Sequence, residues 1–336
     1  MGVEFDLATI WAFIIAFAVF AYVVMDGFDL GVGILFPLFP QHHDRDVMMN
    51  SVAPVWDGNE TWLVLGGGAL FAAFPLAYAI IMPAIYMPAI IMLLGLVFRG
   101  VAFEFRWRTQ RARFIWDIAF FTGSLAAALC QGIILGAILQ GIAVSGRAYG
   151  GGWWDWLTPF TLLTGLAVAT GYTLLGAAWT VMKTTGALRE KAFAMTRLFG
   201  LATLGFIVAV SLATPFLEAS YFERWFAWPG IVLTAPVPLA VVAITFFFFK
   251  SLAARHDYLP FILTLALFFL CFVGLGVSIF PYVVPGQVTI WQAAAPRSSQ
   301  IFMLVGVAIL VPIILAYTAY AYWVFRGKVD PETGHH

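Results

Sequence analysis

Long uninterrupted apolar runs constrain this chain more than any other feature of it. Nine can be marked, at about 9–36, 54–75, 78–99, 116–140, 158–182, 198–217, 228–249, 259–281 and 300–325. Each is near the roughly 20 residues that a helix needs to cross a bilayer. None shows the period-two alternation of a transmembrane strand, and lipid admits only helices or closed barrels because the backbone must satisfy its own polar groups there. The stretch from Thr61 to Phe98 is too long for one crossing. It is expected to fold back near Phe74-Pro75, since proline removes a donor and restricts its neighbour. Pro83 and Pro88 within the third run predict a kink. The fold class is therefore all-α integral membrane with nine transmembrane helices, in one polytopic domain spanning 1–336.

Composition closes off the alternatives. Charged residues make up 10% of the chain and hydrophobic residues 62%, too few charges to solvate a globular surface and too much apolar material for disorder. The 17 basic and 17 acidic residues cancel, which removes the electrostatic case for a nucleic-acid partner. Cys130 and Cys271 lie far apart in apolar runs and read as packed small side chains. Glu4 and Asp6 precede the first run with no basic stretch, so no cleavable signal peptide is expected. His335-His336 reads equally as native sequence or as the stub of a tag.

With nine crossings the basic residues fall into two unequal sets. Fourteen of the seventeen, from Arg45 and Arg99 to Arg326 and Lys328, share one side, against Arg147, Arg224 and Arg297 on the other. The positive-inside rule then puts the N-terminus outside and the C-terminus in the cytoplasm. Trp153, Trp154, Trp156, Trp225, Trp228 and Trp291 form an aromatic belt on the outer side. Gly66-Gly67-Gly68 reads as a surface for close helix packing. The segments around Tyr22 and Tyr172 share a pattern too slight to be a repeat.

The five histidines, His42, His43, His256, His335 and His336, all fall in loops or the tail on the cytoplasmic side. A membrane cytochrome ordinarily ligates haem through a histidine at membrane depth, so this chain is expected to bind no haem by itself. No nucleotide fingerprint or zinc spacing is present, and no metal site is expected. Carboxylates are the unusual groups. Asp26 and Asp29 sit three apart inside the first apolar run, and Asp57 and Glu60 sit three apart at the start of the second. That spacing puts each pair on one helical face. An intramembrane carboxylate is costly and marks an ion or proton path, although a helix end or a pairing with Arg99 is the plainer explanation.

The residues that carry these acids also carry a resemblance. The stretch Asp26-Gly27-Phe28-Asp29-Leu30-Gly31-Val32-Gly33 resembles the first-helix signature of subunit II of the cytochrome bd-type quinol oxidases. Asn50-Ser51-Val52-Ala53-Pro54-Val55-Trp56-Asp57-Gly58-Asn59-Glu60-Thr61-Trp62-Leu63 resembles that family's second signature, followed by Gly67-Gly68-Ala69-Leu70-Phe71-Ala72-Ala73-Phe74-Pro75. Phe98-Arg99, Trp116-Asp117 and the segment from Val311 to Thr318 match further, so the resemblance runs from about 8 to 326. The chain is shorter than some members after Leu217 and is similar to the cyanide-insensitive branch.

The resemblance implies two four-helix bundles, about 9–140 and 158–281, plus a last helix at about 300–325. It implies a heterodimer in the bacterial inner membrane with a haem-bearing subunit I, which holds two b-type haems, one d-type haem and the quinol site. The complex oxidises ubiquinol or a related quinol, reduces dioxygen to water, and takes its protons from the cytoplasm. A small single-helix accessory subunit is left open. Carried over by motif, Asp29 and Asp57, with Asp26 beside them, fall on the proton route. Trp62, with Trp56 near it, falls at an oxygen path, and Arg99, with Glu60, near the interface with subunit I. A secondary transporter with broken helices and a purely structural subunit are the rival readings; a haem-bearing chain that co-purifies would exclude the first, and aspartate variants would divide relay from scaffold.

Overall fold

The structure is a computed structural model that describes residues 6–109 and 111–329. Glu4 and His335-His336 therefore lie outside the described residues. The helices, in chain order, are α1 (Leu7–Leu35), α2 (His42–Val52), α3 (Trp56–Ala73), α4 (Pro75–Ala84), α5 (Tyr86–Arg108), α6 (Arg113–Leu139), α7 (Pro159–Lys183), α8 (Gly186–Ala213), α9 (Ala219–Phe226), α10 (Gly230–Thr234), α11 (Pro236–Ala253), α12 (Leu259–Ile279), α13 (Ile290–Ala293) and α14 (Arg297–Val324). Short 3-10 turns extend α1 (Phe36–Leu38) and α8 (Thr214–Phe216), and two small hairpins are present. β1 (Val144–Ser145) pairs antiparallel with β2 (Ala148–Tyr149), and β3 (Tyr282–Val284) pairs with β4 (Val288–Thr289). Cys130 and Cys271 are both free.

Eight stretches are helical, long and apolar enough to cross a membrane: Leu7–Leu38, Tyr86–Arg108, Arg113–Leu139, Pro159–Lys183, Gly186–Phe216, Gly230–Ala253, Leu259–Ile279 and Arg297–Val324. Six of them track the expected runs closely, and α8 begins well before its run. The second and third runs differ. The chain does turn at Phe74-Pro75, where α3 ends and α4 starts. A second break follows at Ile85, between Pro83 and Pro88, in place of a single kinked span. α4 packs against α3, α13 and the two hairpins at the Trp-rich end. The return crossing is thus α5, which runs nine residues past the expected end at Arg99. This shift moves Arg99 from a helix end to the middle of a 23-residue helix about 34 Å long. α3 falls outside the apolar set because Asp57, Asn59, Glu60 and three glycines dilute its hydropathy. At 18 residues it is still about 27 Å long, close to the hydrocarbon thickness.

α1 is the hub of the first half, packed against α3, α6 and α7. Its N-cap is Asp6, which accepts from the Thr9 amide at 3.2 Å and from the Trp291 indole at 2.8 Å. Its crossing with α7 is a backbone contact. A Cβ on Gly31 would stand 1.8 Å from the Tyr172 carbonyl oxygen, and one on Gly176 would stand 2.3 Å from the Gly31 carbonyl carbon. α5 and α6 meet in the same way, since a Cβ on Gly123 would be 2.5 Å from the Gly95 oxygen and 3.1 Å from the Arg99 nitrogen. Small residues therefore set the distance between the helices that carry the buried charges. The glycine triplet of α3 does this only in part. Gly66 faces Ala18 and Val19 of α1, whereas a Cβ on Gly67 or Gly68 would touch nothing within 4 Å. Three consecutive residues are spread around the helix and cannot share one contact face.

α14 lies at the edge, with Gln300 its one buried residue. It is tied at both ends. The Trp11 indole donates to the Gln300 carbonyl at 3.2 Å, and at the far end the Lys183 ammonium donates to the carbonyls of Phe325 and Gly327. Lys328 reaches Asp257 at 2.7 Å and the Thr184 carbonyl at 3.1 Å, so the segment after α14 closes over the α7–α8 turn.

Candidate functional site

The buried charges gather where α1, α3 and α5 meet. Asp26 and Asp29 lie one helical turn apart on the face of α1 that is turned inward, and both are wholly buried. Arg99, also wholly buried, reaches them from the middle of α5. Its Nη1 stands 3.1 Å from Asp26 Oδ1 and 2.8 Å from Glu60 Oε1, and its Nη2 stands 3.7 Å from Asp29 Oδ2. The guanidinium is walled by Trp56 and Phe103, whose rings stack at 4.7 Å with their centroids 5.8 and 5.6 Å from it. The guanidinium lies beside this stacked pair and not between the rings, a setting that suits its weakly hydrated plane.

Three carboxyl groups thus share one guanidinium. The pairing leaves valences open inside the chain: both Asp26 oxygens, Asp29 Oδ1, and Nε and Nη2 of Arg99 have no hydrogen-bond partner within it. Glu60 is the member that reaches the surface, with its side chain 26% exposed. Asp57, one turn earlier on α3, is exposed and stands apart from the buried group. The expected set is therefore brought together as Asp26, Asp29, Glu60 and Arg99, with Asp57 outside it. Trp62 is buried in an apolar cluster with Ala18, Ala21 and Tyr22, edge-on to Phe17 at 5.5 Å.

Five further polar side chains stand at or just behind the edge of the site. The Asn59 amide donates to Asp29 Oδ2 at 2.7 Å and to the Met25 carbonyl at 3.2 Å, and the Tyr322 hydroxyl of α14 donates to Asn59 Oδ1 at 3.0 Å. On the opposite flank the Tyr22 hydroxyl lies against Asp26 and accepts from Gln131 Nε2 at 2.8 Å. Gln131 Oε1 in turn accepts from Tyr172 at 2.6 Å. The slight likeness around Tyr22 and Tyr172 thus has a physical counterpart, since both tyrosines hold one amide. Sequence reasoning passed over these residues. Asn59 stood inside the second motif, and Gln131 was an isolated amide in an apolar run, so a signal existed for both. Tyr322 had none, because nothing local distinguishes it from Tyr317 and Tyr320.

A second ionic cluster lies nearer the ends of α1, α5 and α6. Asp117 accepts from Arg106 at 2.5 Å and from Arg45 at 2.9 Å, and Asp46 accepts from Arg106 at 2.7 Å and from Arg113 at 2.6 Å. It anchors α2 under the α5–α6 turn.

The sequence profile of the family described as cytochrome bd terminal oxidase subunit II matches residues 7–325. The chain belongs to that family. Among its relatives, the cytochrome bd-I ubiquinol oxidase subunit 2 of Escherichia coli strain K12 is 30% identical, over 97% of this chain and 96% of that protein. The cytochrome bd ubiquinol oxidase subunit 2 of Bacillus subtilis strain 168 is 28% identical, over 97% of each. A chain in the structure of bd oxidase from Geobacillus thermodenitrificans shares the fold with a TM-score of 0.76 at 18% identity, over 95% of this chain and 99% of that one. Family membership makes this chain part of a membrane oxidoreductase.

A membrane haem needs an axial ligand at membrane depth, most often an imidazole. The described histidines, His42, His43 and His256, are exposed, the first two at the start of α2 and the third in the turn before α12. The described residues therefore offer no imidazole where a haem would need one. Among them no group of three or more His, Cys, Asp or Glu side chains converges as metal ligands.

Proposed function

We propose that this chain is the haem-free subunit II of a quinol:dioxygen oxidoreductase, which scaffolds a haem-bearing subunit I and carries protons toward it. The observation that supports the reading is the buried group of three carboxyls on one guanidinium. A structural ion pair needs one carboxylate per arginine. Here the electrically neutral state of the cluster holds two exchangeable protons, within a few ångströms of one another and beside open hydrogen-bonding valences. An apolar interior conducts no protons without titratable groups and water, and this group supplies the former. Asp57 on the surface, Glu60 at the edge and Asp26 and Asp29 within form a graded series from exposed to buried.

In this arrangement α3 is counted as a crossing. Nine spans follow, with α1, α3, α5 and α6 as one bundle, α7, α8, α11 and α12 as the other, and α14 added. The basic ends face the cytoplasm and the N-terminus the periplasm, so protons enter from the cytoplasm. The haems, held by the partner, supply oxygen binding and electrons. This chain's residues accept protons at Asp57 and Glu60, hold them at Asp26 and Asp29, and release them toward the neighbouring subunit. Trp62 and its apolar surround, with Trp56 nearby, are assigned to an oxygen path, and a single-helix accessory subunit has room on the outer faces.

The test is quinol-driven oxygen consumption by assembled complex carrying Asp29→Asn or Asp57→Asn. Both variants are expected to retain their haem spectra and lose turnover. Full turnover with full voltage generation in both would end the relay. Loss of haem d together with activity would favour a role in assembly.

A further inference from the structure

Asp29 has one side-chain neighbour that a proton cannot cross. Asn59 lies between it and a cavity of about 20 Å³ where α3 meets α14, lined by Pro54, Gly58, Asn59, Thr318 and Tyr322 among others. That volume admits one water, and the amide and hydroxyl groups of Asn59, Thr318 and Tyr322 give it the two to four polar partners a water requires. The orientation of the amide is fixed by its partners. The Met25 carbonyl can only accept, so it faces the NH2, which also reaches Asp29 Oδ2, and the Tyr322 hydroxyl donates to the oxygen. Both N–H groups and the carbonyl are thereby engaged. A side-chain amide neither takes up nor gives up a proton near neutral pH, unlike a carboxyl, an imidazole or a water. The cavity is one residue away from Asp29 and is separated from it by a group that does not conduct.

From this we infer that Asn59, latched by Tyr322, is a proton stop that keeps the water of the α3–α14 cavity off Asp29 and commits proton uptake to Glu60. The inference rests on the relay proposed above. The geometry gives the cluster three borders. On one, the buried Tyr22 hydroxyl lies against Asp26, and behind it Gln131 closes the way with a second amide, which donates to Tyr22 and accepts from Tyr172. Asn59 closes another. The third is Glu60, 2.8 Å from Arg99 and partly exposed, and it is the one border made of a group that exchanges protons. Two non-conducting sides and one conducting side give the cluster a single mouth.

The experiment is a rescue in assembled, reconstituted oxidase, read as quinol-driven oxygen consumption and its solvent deuterium isotope effect. Glu60→Gln is expected to slow turnover by roughly tenfold or more, the result of one added factor of ten in the limiting step. Asn59→Asp replaces the stop with a carboxyl that contacts both the cavity and Asp29, and in the Glu60→Gln background it is expected to restore most of that loss. Asn59→Leu, which breaks the same hydrogen bonds without adding a conductor, is expected to restore none, so that rescue reports conduction and not loosened packing. The inference is overturned if Glu60→Gln keeps full turnover, if Asn59→Asp fails to rescue in complex with intact haem spectra, or if Asn59→Leu rescues equally. The relay itself is decided separately. Asp29→Asn with full turnover removes it, whereas an inactive Asp29→Asn beside a failed rescue removes the Asn59 stop alone.

Discussion

Arg99→Met tests what holds the acidic group together. The substitution keeps a flexible unbranched stem, shorter than that of arginine, and removes the one positive charge facing Asp26, Asp29 and Glu60. It abolishes three ion pairs, at 3.1 Å to Asp26, 3.7 Å to Asp29 and 2.8 Å to Glu60. They do not count equally. Glu60 is 26% exposed, and a pair open to solvent contributes at most about 1 kcal/mol. The two aspartates are wholly buried, and removing the partner of a buried charge costs about 3–5 kcal/mol. That cost corresponds to between roughly two and four powers of ten in the ratio of folded to unfolded protein.

The assay is thermal unfolding of purified complex, with Arg99→Met alone and combined with Asp26→Asn and Asp29→Asn. The single variant is expected to be strongly destabilised and the triple variant to recover most of the loss, because the stranded carboxylates are then gone. A coupling of about 0.5–3 kcal/mol is expected across the cycle. Arg99→Lys is expected to recover little, since a point charge cannot serve Asp26 and Asp29 from two arms of one plane. Additive effects, with the triple variant less stable than the single one, would refute the argument that Arg99 is held by the aspartates.

Gly31→Ala places a methyl 1.8 Å from the Tyr172 carbonyl and forces α1 and α7 apart; it is expected to cost at least about 1–3 kcal/mol in thermal unfolding, whereas Gly276→Ala, which meets nothing within 4 Å, should cost nothing. Asp117→Asn strips a partner from the buried Arg106 and is expected to destabilise by about 3–5 kcal/mol, while Glu104→Gln, from an exposed pair at 3.8 Å, should stay within about 0.5 kcal/mol on the same assay. Asp257 carries a pH prediction: burial acts upward on its carboxyl, but the bonds from Lys328 and Arg189 outweigh it and hold it below the ordinary carboxylate range. Its contribution is therefore present above the unfolded value of about 3.9 and is lost as pH falls through the lower folded value. Hydrogen exchange of the segment after α14 should stay slow down to about pH 4 and quicken below it, and Asp257→Asn should quicken it above about pH 4 while the two proteins converge at lower pH.

Much of this was readable from the residues, for reasons that differ between elements. Long apolar runs report crossings directly, because lipid leaves the chain no other solution, and α6, α7, α12 and α14 fall within a few residues of expectation. Asp26 and Asp29 were equally plain, since a charge in such a run has no inexpensive explanation. The register between Phe74 and Arg108 was not. Apolar content is as high in α4 as in a crossing helix, and only its packing on the hairpins keeps it at one end. That error carried Arg99 to a helix end, although its pairing with these carboxylates was among the readings the residues allowed. Asp57 and Glu60 were placed on one face by their spacing, but a carboxylate at the rim of a helix face is turned inward or outward by what packs beside it. Arg99 draws Glu60 in, and nothing draws Asp57.

The two ionic clusters of this chain show why burial alone does not identify a functional charge. Around Arg106 the acids are in deficit. Asp117 and Asp46 are each held by two guanidiniums, at 2.5–2.9 Å, and no carboxyl is left to carry a proton. Such a group serves to hold α2, α5 and α6 in place. Around Arg99 the acids are in surplus, both Asp26 oxygens and Asp29 Oδ1 are unpartnered, and Glu60 reaches the surface. An excess of carboxyls over guanidiniums is what the proposed relay requires and a scaffold does not. The stoichiometry of acid to base separates the two clusters where exposure does not, since Arg99 and Arg106 are both wholly buried. By the same reasoning, an added carboxyl beside Arg106 would bring that cluster toward balance and stabilise the turn, and one removed beside Arg99 would take protons out of the path before it took stability out of the fold.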